Sequence, residues 1–220
     1  MGNIVITPSI PIILASASKI RQEILRKTGL EFSVIISDVN EEKLKKKIIN
    51  KSIKEKASIL ASEKALNVSI TNPNSYVIGA DQICNLNDKI FSKPKNMNNA
   101  IEQLKELSGK THKQTSGISL CFNGKIIWSC VEEAELTMNK LEENEIIKYL
   151  EIDKRFNSCG SYRYEAFGIH LFSKVTGNNE TIQGLPLITL LKQFRKNKIY
   201  SIKNFIILLL FCLSILMSFY

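Results

Sequence analysis

The sequence predicts a mixed α/β fold, and three observations predict it. Short apolar runs bounded by Pro, Gly or Ser alternate with segments of helical spacing from Ile12 onward. Asn123–Gly124, set between two strand-like runs, has the composition of a type I′ hairpin turn. No internal repeat and no linker interrupts the chain before residue 197. Strands alternating with helices, plus one hairpin, argue for a mixed sheet in a single domain over residues 1–197, with 198–220 as an appended tail.

Taken in order, Ile12 to Ala15 reads as a buried strand between Pro11 and Ser16. A helix from Lys19 to Lys27 follows, capped by Ser18 and stopped by Gly29. Phe32 to Ile36 is a second strand, Ser37 to Glu42 a loop, and the lysine-rich sequence beyond it is helical to about Leu66. Tyr76 to Ala80 is a strand that ends at Asp81, and residues 86–89 form a turn. Helical spacing of Ile101, Leu104 and Leu107 places a helix from Asn98 to Leu107, stopped by Ser108–Gly109. The hairpin joins Ser119–Phe122 to Lys125–Cys130, Glu142 to Leu150 is helical, Gly168 to Ser173 is a strand, and Leu185 to Lys196 is helical.

Composition narrows the function classes. An apolar content of 44% and a charged content of 23% are globular values. The net charge of +9 points to an anionic partner: nucleic acid, a lipid surface or a triphosphate. The lysine run from Lys43 to Lys56 carries no interleaved aromatics, so it lacks the stacking platform of a nucleic-acid binder. The five cysteines are widely spaced with no C-x-x-C pair, which argues against a zinc site or a disulfide framework and for a reducing cytoplasm. His112 and His170 stand apart from any metal-ligand spacing and read as core or surface residues. The N-terminus lacks the basic region of a signal peptide.

Three segments carry polar groups at strand ends, where open α/β sheets place their sites. Ser16–Ala17–Ser18–Lys19–Ile20–Arg21 sets hydroxyls and free backbone N–H groups at a helix N-terminus, with Arg21 as a bidentate phosphate clamp. In Gly79–Ala80–Asp81–Gln82 a carboxylate directly follows a strand, placed to hold Mg²⁺ or to orient a water. Ser92–Lys93–Pro94 holds a lysine beside a rigid neighbour.

Together these segments resemble the Maf family. The resemblance runs from Leu14–Ala15–Ser16–Ala17–Ser18 with Arg21 through Ser37–Asp38–Val39–Asn40–Glu41, Glu63–Lys64–Ala65, Gly79–Ala80–Asp81–Gln82 and Lys93–Pro94. It continues at Leu107–Ser108–Gly109–Lys110–Thr111–His112 and Gly184–Leu185–Pro186–Leu187. It implies a mixed-sheet Maf/ITPase-like fold with a deep nucleotide-binding cleft, a nucleoside triphosphate substrate, a divalent metal (Mg or Mn) and a homodimer. It further implies that Asp81 activates water and, with Glu41, holds the metal. Arg21, Lys64 and Lys93 would neutralise the triphosphate, and Ser16 and Ser18 would line the phosphate loop. Two departures stand out: Lys19–Ile20 where many members have proline followed by an arginine or aromatic, and Asn40 where an acid is usual.

Base specificity is read from Cys159–Gly160–Ser161–Tyr162–Arg163–Tyr164–Glu165. The pyrimidine-type enzymes, which act on dTTP and UTP, carry glutamine at the position matched by Glu165. The glutamate, with Gln82 after Asp81, is similar to the 7-methyl-GTP subfamily, while Ile20 would give the base an apolar wall but neither an aromatic stacking face nor a donor. The rival expectations are a dTTP/UTP pyrophosphatase, a nucleic-acid-binding or division-associated protein without turnover, and a membrane-surface adaptor. The last rests on the uncharged segment from Phe205 to Tyr220, preceded by Lys192, Arg195, Lys196, Lys198 and Lys203. At 1.5 Å per residue that segment reaches roughly 24 Å, against a hydrocarbon thickness of about 30 Å. Membrane contact, packing on the domain or a dimer mate, and an incidental extension all fit it.

Overall fold

Pro11 has no N–H to offer a sheet, and the apolar run after it forms β1 (Ile12–Leu14). The computed structural model describes residues 6, 8–154 and 156–200. Ser18 accepts from the Arg21 backbone N–H and opens α1 (Lys19–Arg26), and Gly29, at φ 72°, ends the turn after it. β2 is only Ser33–Val34 and lies exposed at the sheet edge, shorter than the strand expected over 32–36.

The lysine-rich stretch makes two helices rather than one. α2 (Glu41–Lys47) is capped by Asn40, whose side chain accepts from the Lys43 N–H at 2.9 Å. α3 (Ile53–Thr71) starts afresh at a reciprocal capping box. The Ser52 hydroxyl accepts from the Glu55 N–H, and the Glu55 carboxylate accepts from the Ser52 N–H at 2.9 Å. That box divides the run, and α3 continues past the Leu66 expected as its end.

β3 (Tyr76–Leu86) also runs past its expected end, so Asp81 sits mid-strand. A turn at Asn87, with φ 50°, returns the chain as β4 (Lys89–Phe91). α4 (Met97–Leu107) is followed by the long hairpin of β5 (Thr111–Phe122) and β6 (Lys125–Met138). Positive φ at both Asn123 (49°) and Gly124 (67°) makes its turn type I′, as expected. α5 (Glu143–Asp153) comes next. The apolar stretch expected as a strand over 168–173 is instead a 3-10 turn, Phe167–Leu171, leading into β7 (Phe172–Thr176). The Ala166 and Gly168 N–H groups both donate to the Arg163 carbonyl, at 3.2 and 3.0 Å, and curl the segment so tightly that a Cβ at Gly168 would stand 2.3 Å from that oxygen. α6 (Asn179–Ile182) and α7 (Leu187–Lys196) complete the described residues, apart from Ile199 and Tyr200 packed beneath.

The sheet order is β2-β1-β3-β5-β6-β7, with β4 on β3. β2, β1 and β3 are parallel, and the other pairs are antiparallel. It is the mixed α/β sheet that the sequence predicts. Period-two alternation sorts β3 between two helix layers. Val77 and Ile83 face α3, packing with Ala65 and Val68 and with Ala57 and Leu60. Ile78 and Ala80 face α1 and α7, against Ile24, Leu25, Leu190 and Phe194. Cys84 lies among the buried residues of α4 and α5.

Two glycines set the distance between α3 and the sheet. A Cβ on Gly79 would stand 2.1 Å from the Ala61 carbonyl oxygen, and one on Gly117 would stand 2.2 Å from that of Ala57. The helix backbone therefore rests directly on two neighbouring strands. Gly79→Ala should destabilise the fold by more than about 3 kcal/mol, because helix and strand must separate for the methyl to enter. Urea denaturation measures this, and an unchanged midpoint would contradict the seating described.

Candidate active site

β1 pairs with β3 only as far as Leu14 opposite Ile78, and β4 pairs with it only from Cys84 onward. Between them residues 79–83 have β5 on one side and no strand on the other. Asp81 lies in this gap. It is beside a strand end after all, but the strand that ends there is β1.

Asp81 faces α3, and the glycine contacts bring α3 close enough for Lys64 to reach it. Lys64 Nζ lies 2.5 Å from Asp81 Oδ1 and 2.9 Å from Glu41 Oε1. Lys64 and Asp81 are largely buried, while Glu41 is half-exposed at the first position of α2. Burial pushes the Glu41 carboxyl up, but the hydrogen bond and charge of Lys64, with those of Lys45 at 3.3 Å, outweigh it and hold the group below its ordinary value. Asn40 spends its side chain on the helix cap.

Arg21 enters from the opposite layer. Its Nε donates to the Gly184 carbonyl at 2.8 Å, and its Nη1 donates to the Ala80 carbonyl at 3.0 Å and the Ser16 hydroxyl at 3.3 Å. Three N–H groups are thus committed, and among the described residues no hydrogen bond uses the pair on Nη2. Burial pulls the guanidinium below its ordinary value, opposed by Asp81, Cys159 and Glu41. Ser16 also accepts from the Ser18 N–H at 3.3 Å, tying the loop before α1 to the same point.

Gln82 projects from the other face of β3, its amide donating to the Ile182 carbonyl at 2.5 Å. Its Oε1 and the Arg21 guanidinium both crowd Gly184, where a Cβ would meet them within 3.3 Å. Lys93 is exposed just past β4, and its charge acts on Cys159 together with those of Asp81, Lys45 and Arg21. Burial first and Asp81 second push the Cys159 thiol up, against the lowering influence of Lys93, Lys45 and Arg21. Cys159 is thus an electrostatic neighbour of the site that the sequence reading passed over. Ile20 is half-buried against the core under α1. Glu165 is exposed, and its charge acts on Arg163 and Tyr149. Among the described residues no hydrogen bond or ion pair joins it to the Lys64 cluster.

Among the described residues no group of three or more His, Cys, Asp or Glu side chains could hold a metal ion, and the two carboxylates Asp81 and Glu41 are the oxygen donors that converge. Likewise among the described residues, no helix is long and apolar enough to cross a membrane; the segment from Phe205 to Tyr220 lies outside them.

Residues 11–197 match the family described as Maf-like protein. The chain belongs to the Maf family. It is 41% identical over 192 residues to a nucleoside triphosphate pyrophosphatase of Legionella pneumophila, covering 87% of this chain and 96% of the relative. It is 39% identical over 194 residues to a 7-methyl-GTP pyrophosphatase of Brucella abortus, covering 86% and 98%. Among solved structures, a HAM1 protein from Coxiella burnetii aligns with a TM-score of 0.43 at 15% identity, over 84% of this chain and 99% of that one.

The family motif ending in His112 has a structural use in this Maf protein. His112 is buried, with Nε2 2.7 Å from the Tyr162 hydroxyl, to which Gln114 also donates at 2.7 Å. This pair holds the loop from Cys159 to Glu165 against β5. His112 is thus a core histidine, as expected, although its Nδ1 has no hydrogen-bond partner. Burial pushes its pKa down from 6.5 to about 4. Between those values the unfolded chain takes up a proton that the folded chain refuses. Stability is therefore complete above about pH 6.5 and falls toward pH 4, by roughly 3 kcal/mol from this group. His112→Gln, which keeps a partner for Tyr162 and does not titrate, should show a smaller loss of urea midpoint between about pH 7 and about pH 4.5. An equal loss in both proteins would place that pH dependence elsewhere.

Proposed function

We propose that this chain is a nucleoside triphosphate pyrophosphatase that hydrolyses a 7-methylated guanine triphosphate to monophosphate and pyrophosphate, clearing modified nucleotides from the cytoplasm. The observation that carries the reading is the cluster of Asp81, Glu41 and Lys64 at the gap on β3, beside Arg21, which bonds the Ala80 carbonyl next to Asp81 and feels the charges of Asp81 and Glu41. Relatives with pyrophosphatase names at about 40% identity support it. So do four described cysteines that are all free thiols, as a reducing compartment leaves them.

In this reading Arg21, Lys64 and Lys93 take up the triphosphate charge. Ser16, Ser18 and the free N–H groups at the start of α1 line the phosphate loop. Lys64 engages Asp81 at Oδ1, leaving its second oxygen to accept a proton from the attacking water. Water adds at the α-phosphorus, the bond to the bridging oxygen breaks, and pyrophosphate leaves. The donor set suits Mg²⁺ or Mn²⁺, which take one or two carboxylates and complete their shell with substrate phosphate oxygens. Asp81 and Glu41 would hold the ion, which when bound neutralises phosphate charge. A homodimer belongs to the same reading.

For the base, Gln82 supports guanine. Its amide nitrogen is committed to the Ile182 carbonyl, so its oxygen is the atom left to accept. Glu165 would add a carboxylate that accepts from two guanine donors and attracts the positive charge of a 7-methylated ring. Uracil and thymine present carbonyl oxygens that such a group repels. Ile20 would contribute an apolar wall.

The reaction is tested by incubating the protein with ordinary and modified triphosphates and identifying the products. Pyrophosphate with monophosphate is expected, and orthophosphate would reject the reading. Asp81→Asn should lower kcat by roughly 10²–10⁴ while triphosphate still binds; near-normal turnover would move the base elsewhere. Glu165→Gln should lower kcat/KM on 7-methyl-GTP and raise it relatively on dTTP or UTP. A preference ratio that stays put removes Glu165 from base recognition.

A further inference from the structure

Glu132 lies on β6 directly opposite Ser116 of β5, on the face of the sheet turned away from α3. Its two carboxylate oxygens are shared between two threonines of the C-terminal helices. The Thr181 hydroxyl donates to Oε2 at 2.7 Å, and the Thr189 hydroxyl donates to Oε1. Ser116 adds a 2.7 Å bond to the Thr181 carbonyl. One carboxylate therefore fastens the end of α6 and the first turn of α7 to the sheet. The segment between those two points, 182–188, is held at both ends. Within it Gly184, at φ 93°, is further fixed by its N–H to the Thr181 carbonyl and by the Leu185 N–H to the Glu180 carbonyl.

This held segment supplies the acceptors for two site residues. The Ile182 carbonyl takes the Gln82 amide, and the Gly184 carbonyl takes Arg21 Nε. Arg21 has its other two anchors on Ser16 and the Ala80 carbonyl, so among the described residues Gly184 is the one anchor outside β1, its loop and β3. Without it the guanidinium is free to rotate about its Nη1 contacts, and Nη2 loses its direction. We infer that Glu132, which touches neither Arg21 nor the gap on β3, is a positioning residue. It clamps Thr181 and Thr189 so that the Gly184 carbonyl holds Arg21 Nη2 toward the phosphates. This rests on the reading of the site as a triphosphate site.

The test is a double-mutant cycle read in two ways: Kd for inorganic tripolyphosphate by calorimetry, and kcat/KM for nucleotide. Glu132→Ala should weaken tripolyphosphate binding and lower kcat/KM by about tenfold in each. Glu132→Gln should stay within about threefold of wild type, since its amide oxygen accepts from one threonine and its amine donates to the other. Adding Glu132→Ala to Arg21→Ala should cost less than about twofold more, because the lost effect runs through a group already absent. Full additivity of the two variants would overturn the inference, as would wild-type binding in Glu132→Ala. If Glu132→Ala does not fold, Thr189→Val removes one of the two clamps at nearly constant volume, and the same cycle with Arg21→Ala decides the question. A wild-type protein without turnover would reject the pyrophosphatase reading alone, and the tripolyphosphate cycle would still decide the role of Glu132.

Discussion

Everything in the site depends on how closely α3 lies against the sheet. Gly79 on β3 and Gly117 on β5, the latter directly opposite Asp81, both face the helix, and the carbonyls of Ala61 and Ala57 occupy the space their side chains would fill. Lys64 follows Ala61 by one turn of helix, so this seating delivers its ammonium to Asp81, two residues along β3 from Gly79. A larger residue at either glycine would lift the helix and part the ion pair. A lysine this buried is tolerable only with its charge answered, and Asp81 and Glu41 both answer it. Packing and electrostatics thus rest on one contact.

The other half of the site is built from the opposite layer. α1 brings Arg21 up through the gap left where β1 stops, and the C-terminal helices bring Gly184 to meet it. Gln82 and Asp81 are consecutive, so strand alternation sends one to each layer. The sheet acts as a partition with a window, and charged groups reach the window from both faces.

Much of this was legible where the signal is local. Asn123–Gly124 can hardly be anything but a tight hairpin turn, and Ser18 capping α1 followed from a hydroxyl before a helical run. The break between α2 and α3 was also written in the chain, as Ser52 and Glu55 three residues apart, but the lysine-rich run around them reads as one helix. The length of β3 was hidden because Asp81 and Gln82 look like a polar strand end. What makes them acceptable mid-strand is the early stop of β1, a property of a different segment. Gly168 looked like part of a strand because its conflict with the Arg163 carbonyl is a feature of backbone path and not of composition. The partners of Glu132 lie 49 and 57 residues away, and nothing in its neighbours Val131 and Glu133 marks it. The residues matching the family motifs were identifiable in advance; the carbonyls and threonines that aim them were not.

The short stretch of β3 without a strand neighbour has a consequence for selectivity by shape. An unpaired strand edge is ordinarily an invitation to any extended peptide, which can add itself by main-chain pairing. Here the opening is five residues long, closed off by β1 at one end and β4 at the other, and Arg21 has already taken the Ala80 carbonyl. A polypeptide would need a longer run of free acceptors to gain a foothold. A chain of phosphates needs only positive charge and N–H groups at close range. In the proposed reading the window would exclude other proteins by its width while staying open to small anions, and the side chain that narrows it, Arg21, is one of those that would greet them.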